Sequence, residues 1–293
     1  MLDTMLLALA AALALASPRP SPLWKLPAGT AAPPPGTFAW LARFPPGRQR
    51  ALAASSLMLE TPYAEGPLGE GAGQDPDPRI RFDAVDCQTF VEEAIALGEA
   101  PSAAELLPVL DDVRYGGSPS YAERDHFMMS QWVPRNETKG YLQDATRALA
   151  GPLAQVERKR ITAKSWAARK SPIDLPPGLV PVGSWSLPVV PLAKLLELAP
   201  RIPDGTLLLV VRADRASYPE RVTHLGFLVH HQGVPFLRHA STVFHRVVDE
   251  PLDHFVARNS RYDWWPVVGM SLLGVRDARA RVAALAPART AAK

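Results

Sequence analysis

Cysteine is all but missing from this sequence: there is one in 293 residues, Cys87, and a lone thiol cannot close a disulfide within its own chain. Net charge is also small, +3 from 32 Lys and Arg against 29 Asp and Glu. The cations are scattered instead of forming a stripe that would follow a phosphate backbone, so nucleic acid is not an expected partner. Long apolar runs are lacking beyond the N-terminus. The one found there, within residues 5–15, is shorter than the roughly 20 residues a membrane span needs. A Gly-rich phosphate loop, a Gly-x-Ser-x-Gly elbow and the tight spacings of a zinc site are absent too, so neither metal nor cofactor is expected. No segment repeats.

What is present begins with MLDTMLLALAAALALASP, an apolar stretch closing on the small residues Ala14 and Ala16. This pattern predicts a signal peptide over residues 1–16 and an exported protein, periplasmic or extracellular, with no stable membrane insertion after cleavage. No cysteine follows that could carry a lipid anchor. Residues 17–46 are dense in proline (SPRPSPLW, AAPPPGTF, RFPPG) and predict an extended tether with little regular structure. Residues 47–280 are read as the folded domain and 281–293 as a flexible tail.

Within the domain, RQRALAASSLML, SAAELLPVLDDVRY and GYLQDATRALAG carry helical patterns, as does the stretch SYAERDHFMMSQWVPRN with His126. The segment TPYAEGPLGEGAGQDPDPR is a Gly- and Pro-rich loop expected to lie over the site. The basic run VERKRITAKSWAARK is expected to be a solvated surface. Later, GTLLLVVRA, RVTHLGFLVHH, VPFLRHASTV and VVGMSLLGVRD are apolar, β-branched runs between turn residues and predict an antiparallel sheet. Helices followed by strands indicate an α+β fold.

The cysteine opens a helix. In DCQTFVEEAIALGEA, residues Phe90, Val91, Ala94 and Ile95 recur at helical spacing, with Gln88, Glu92 and Glu93 turned away from them. Asp86 is the expected N-cap and Gly98 the expected stop. Cys87 then lies in the first turn, where free N–H groups and the helix dipole favour a thiolate and can hold an oxyanion. A small buried hydrophobe is the alternative role for such a residue.

A nucleophilic cysteine needs a base, usually histidine, and a group to orient it. In RVTHLGFLVHHQGVPFLRHAST, a turn centred between His231 and Gln232 sets His224 opposite His239, on one face of a hairpin. Two imidazoles side by side suit a proton relay better than a core.

These residues resemble a known group. TPY at 61–63, DCQTFVE at 86–92, RDHF at 124–127, THLGFLV at 223–229 and LRHAS at 237–241 together resemble the N-acetylmuramoyl-L-alanine amidase-like cysteine family, among the NlpC-type, papain-like cell-wall hydrolases. The likeness spans residues 51–276. It implies a helical half carrying the cysteine packed on an antiparallel sheet carrying the histidines. It implies hydrolysis of the amide between the lactyl group of N-acetylmuramic acid and L-alanine, with muropeptides as partners, Cys87 as nucleophile, His224 as base and His239 as orienting residue. Tyr63, Asp86, Arg124 and His126 match substrate-binding positions. One departure is Asp204-Gly205-Thr206, where relatives usually show Gly-Asp. The alternatives are a stem-peptide endopeptidase of the same fold, or a non-catalytic wall-binding module using Trp264 and Trp265.

Overall fold

The computed structural model describes residues 19–285. The expected signal peptide and most of the expected tail lie outside the described residues. Eight strands form one antiparallel sheet: β1 (Leu142–Asp144), β2 (Gln155–Ile161), β3 (Gly183–Pro191), β4 (Leu207–Arg212), β5 (Val222–His231), β6 (Val234–Ser241), β7 (Arg246–Pro251) and β8 (Val267–Val275). Their order is β2-β3-β8-β4-β5-β6-β7, with β1 paired to β8. The helices that frame the site are α1 (Thr37–Leu41), α2 (Arg48–Ser56), α3 (Cys87–Glu99), α4 (Ala103–Arg114), α5 (Leu192–Leu198), α6 (Leu252–Ser260) and α7 (Arg279–Leu285).

The β4 run LLLVV has no polar alternation because both faces of the sheet are covered. Leu207, Leu209 and Val211 join Leu225 and Phe227 of β5 in a core with α2, α3 and α4. Leu208 and Val210 face the other way, into a second core with Leu228, Leu237, α5 and α6. The fold is thus mixed α and β around an antiparallel sheet, but its strands do not all follow its helices: β1, β2 and β3 precede α5.

Two local expectations change. The proline-rich segment is not a free tether, since Leu23, Thr37 and Leu41 are buried and the Leu23 N–H donates to the Leu57 carbonyl at 3.0 Å. Prolines fix its turns, and its leucines still gain by leaving water. The start of the expected tail belongs to α7, whose Val282 is buried. The basic run, which forms β2 and the short helix Ala163–Ala167, is a largely solvated surface as expected, with Arg158, Arg160, Lys164 and Lys170 exposed. Of its cations only Lys159 is buried, against Asp214 at 2.8 Å, and Glu157 accepts from the buried Arg221 at 2.7 Å.

The helix that opens with Cys87 is capped reciprocally. The Thr89 N–H donates to the Asp86 carboxylate at 2.7 Å, and the Asp86 N–H donates to Thr89 Oγ1 at 2.9 Å. The helix is buried nearly all round, Glu92 and Glu93 included. Glu92 turns inward because Arg114 of α4 donates to it at 2.8 Å. Gly98 sits inside the helix instead of stopping it: a Cβ there would lie 2.9 Å from the Ala51 amide nitrogen, so its bareness lets α2 and α3 approach.

Candidate active site

Cys87, Tyr63, His224 and His239 line one cleft of about 350 Å³, together with Arg212, Thr223, Ser241, Phe255, Arg258 and Tyr262. Three elements converge there. Cys87 arrives at the start of α3, and the histidines arrive on β5 and β6. Tyr63 is pinned by its own N–H, which donates to the His245 carbonyl at 3.0 Å, and by a bridge to Val85, one residue before the helix cap.

The β5–β6 hairpin turns at Gln232 and Gly233, with φ of 53° and 83°, and pairs His231 with Val234 and Phe227 with Arg238. The turn thus lies one residue later than the sequence suggested, because Gly233 supplies the positive φ that a two-residue hairpin turn requires. Its consequence is a two-residue offset: Pro235 opposes His230, and His224 and His239 are diagonal neighbours on one face instead of direct opposites. Since the side-chain period is two, the face survives the shift. The β5–β6 ladder ends at Phe227 and Arg238, while β5 runs on beside β4 and β6 beside β7. Gly226 lies at this divergence, where a Cβ would come within 2.5 Å of the Arg238 carbonyl and 2.9 Å of His239 Cβ.

The diagonal brings the rings together. His224 Nε2 and His239 Nδ1 are 2.6 Å apart, and His239 Nε2 lies 3.0 Å from a Glu250 oxygen. Arg258 of α6 donates to both oxygens of that carboxylate. Burial alone would raise Glu250, but hydrogen bonds from His239 and Arg258 hold it down to about 2, so it is ionised. An ionised Glu250 accepts the Nε2–H of His239, and in that tautomer His239 Nδ1 is the acceptor. His224 then donates from Nε2, which makes Nδ1 the basic nitrogen of that ring. Phe255 stacks on His224 with ring centroids 5.9 Å apart and planes 19° apart, fixing that orientation.

Electrostatics set the resting state. Burial pushes the Cys87 thiol up to about 12, with the Asp86 charge adding to it and the N–H groups of Leu225, Cys87 and Gln88 opposing. Burial, the His239 ring and Arg258 push His224 down to about 3. Both directions favour neutral partners, contrary to the thiolate expected at the helix start: the desolvation there outweighs the dipole. Burial, Cys87 and Asp86 also raise Tyr63 to about 12, so its hydroxyl keeps its proton and can donate.

Asp86, Arg124 and His126 are placed elsewhere. Asp86 caps α3, and all three line a smaller neighbouring pocket of about 200 Å³ with Gln88, Glu92 and Arg114. Arg124 is held there by Glu70 at 2.7 Å and Asp75 at 2.8 Å, both from the Gly- and Pro-rich loop. His126 lies on chain without regular structure instead of a helix, its backbone N–H turned back to the Arg124 carbonyl at 3.0 Å, and its Nε2 contacts the Tyr121 carbonyl at 2.7 Å. The residues that sequence reasoning missed are Glu250, Arg258 and Phe255. Glu250 sits on β7, in a strand with no motif of its own, and only the pairing of His239 with Val248 brings β7 alongside. Among the described residues, no group of three or more His, Cys, Asp or Glu side chains could hold a metal ion, and no helix is long and apolar enough to cross a membrane.

The model of the AmiA-like family, described as N-acetylmuramoyl-L-alanine amidase-like, matches residues 53–262. A solved Legionella pneumophila protein of the DUF1460 family is 23% identical, with 82% of this chain and 89% of that chain covered and a TM-score of 0.67. A solved N-acetylmuramoyl-L-alanine amidase from Bacteroides uniformis is 24% identical, covering 77% of this chain and 97% of that one, with a TM-score of 0.61. At these identities the structural likenesses show the fold. No curated protein matches the chain.

Proposed function

The chain belongs to the N-acetylmuramoyl-L-alanine amidase-like family, and from that premise we propose a cysteine-dependent amidase that cuts between the lactyl group of N-acetylmuramic acid and L-alanine. The observation that carries this reading is the line of contacts from His224 through His239 to an ionised Glu250 beside the only cysteine. A buried core has no use for such an arrangement, whereas an acyl transfer needs each part of it. The helix carrying the cysteine against a sheet carrying the histidines also supports an NlpC-type, papain-like placement.

In this reading the neutral pair reacts in concert. As Cys87 Sγ attacks the lactyl carbonyl carbon, its proton passes to His224 Nδ1, and charge gathers on the carbonyl oxygen. N–H groups at the start of α3 and the protonated Tyr63 hydroxyl stabilise that oxyanion. The imidazolium formed on His224 is stabilised through His239 by the Glu250 carboxylate, at the moment when charge appears. The tetrahedral intermediate collapses, the C–N bond breaks, and His224 returns the proton to the alanine nitrogen. Water then loses a proton to His224 and attacks the thioester, the C–S bond breaks, and the thiolate regains the proton. The pocket of Asp86, Arg124 and His126 receives the stem peptide. The apolar run within residues 5–15, closed by Ala14 and Ala16, supports export, so the mature chain should begin near Ser17 on N-terminal sequencing.

Mass spectrometry of a disaccharide-tetrapeptide incubated with the protein tests the bond. The expected products are free disaccharide and tetrapeptide, both absent with Cys87→Ala. Cleavage inside the stem peptide would make the protein an endopeptidase, and no cleavage of any muropeptide would refute the catalytic reading.

A further inference from the structure

The cleft has one wall that the chemistry above does not use. Tyr262, which lines it, is 45% exposed, and Trp264 beside it is 57% exposed, with ring centroids 6.4 Å apart. Exposed aromatic side chains on a loop normally fold back onto the surface to leave water. These two are held out by a repeated device: the Arg212 guanidinium lies 4.8 Å from the Tyr262 ring, and that of Arg215 lies 4.7 Å from the Trp264 ring. Each arginine is itself anchored, Arg212 through Thr223 Oγ1 at 2.7 Å and through the Trp265 carbonyl, Arg215 through the Trp264 carbonyl. A cation on one face of each ring fixes its plane and leaves the rest of the ring available. Val243, from the β6–β7 connection, adds a further exposed apolar surface to the same cleft.

The rings do not make a greasy groove. Asn259, Arg258, Thr242 and Thr223 line the same space and supply amide, guanidinium and hydroxyl groups. Flat apolar rings beside several hydrogen-bonding groups suit a pyranose, which presents C–H groups on its faces and hydroxyls at its rim. The pocket reached from the other flank of the cysteine, by Asp86 and Gln88, is ionic instead. A muramyl peptide has the same two-part character, with sugar on one side of the cut amide and charged peptide on the other. Resting on the amidase reading, we propose that Tyr262 and Trp264 form the saccharide subsite, so that the sugar lies over this aromatic wall and the stem peptide runs toward the ionic pocket.

Two measurements test this. The first compares kcat and KM on a disaccharide-tetrapeptide and on a lactoyl-tetrapeptide that lacks the sugar. Wild type should prefer the sugar-bearing substrate by about three- to tenfold, the worth of one good ring contact. Trp264→Ala should erase most of that preference by raising KM, and Trp264→Phe should keep much of it. Thermal melts should confirm that both variants are folded. The second measurement is binding of the free disaccharide, followed by tryptophan fluorescence or NMR in wild type and Trp264→Ala. Trp264-dependent binding without cleavage of either substrate would sink the amidase reading and support the subsite. Loss of activity that is equal on both substrates, or absence of disaccharide binding by wild type, would overturn the subsite itself.

Discussion

His224 Nε2 lies 2.6 Å from His239 Nδ1, an imidazole oriented by an imidazole, and the second ring is in turn fixed by Glu250 at 3.0 Å. The two histidines therefore have unequal tasks. His224→Ala removes the base and should cost at least about 10²–10⁴ in kcat, while His239→Asn, which still presents a polar group to His224, should keep measurable turnover. Turnover of a muramoyl-L-alanyl peptide beside thermal melts checks both. Near wild-type turnover in a folded His224→Ala protein would end the proposed mechanism.

Glu250→Gln tests the far end of the relay. An amide can offer either N–H or C=O to His239, so the tautomer is no longer dictated. A fall in kcat of about 10² or more is expected, with KM little changed, because the residue acts on the ring and not on substrate. A rise in KM alone would mean that Glu250 shapes the pocket instead.

Cys87 should be a sluggish thiol in the resting protein. With burial and Asp86 both raising it, the rate of alkylation by iodoacetamide should still be climbing through pH 9, whereas a free thiol is half-ionised near about 8.5. Asp86→Asn keeps a side chain able to cap α3 but removes the anion, so its rate profile should move to lower pH. A wild-type plateau below about pH 8 would show a preformed thiolate.

Glu93 gives a pH signature in stability. Burial, only partly offset by the Arg81 amide and Arg114, holds its carboxyl well above the usual 4.5. A carboxyl raised in the folded state must take up a proton on folding, so it weakens the fold at high pH. That penalty fades as pH falls from the folded value toward 4.5. Glu93→Gln should therefore melt higher than wild type at pH 8, with the gap narrowing toward pH 5. A gap that is constant across this range would exclude titration of Glu93 as the cause.

Gly226→Ala should disturb both stability and catalysis. The added methyl would meet the Arg238 carbonyl at 2.5 Å and His239 Cβ at 2.9 Å, and neither belongs to a flexible side-chain end. Overpacking of this kind costs about 1–3 kcal/mol. Calorimetry should show a lower Tm, and the displaced His239 should lower kcat. An unchanged protein would mean that β5 and β6 can part further without loss.

The sequence makes the local parts of this site legible. The cap at Asp86, the helix of Cys87 and the shared face of the two histidines all depend on residues within a turn or a hairpin of one another. Even the hairpin offset was readable, since Gly233 is the residue that tolerates positive φ. Glu250 and Phe255 were not readable, because each joins the site only through the packing of β7 and α6, and nothing in their own neighbourhoods marks them. The buried faces of Glu92 and Glu93 escaped for the same reason: a helical pattern shows the most apolar side, but a helix enclosed on all sides buries its charges against distant partners such as Arg114.

The buried leucines at 23 and 41 also decide how far this protein can reach. As a free spacer, residues 17–46 would extend to about 100 Å and let a catalytic head sweep a broad volume around any point that held its N-terminal end. With Leu23 and Leu41 locked into the core, most of that length is wrapped against the body. Residues 23–41 therefore lend the cleft no reach of their own, and its position is fixed by the body that carries it.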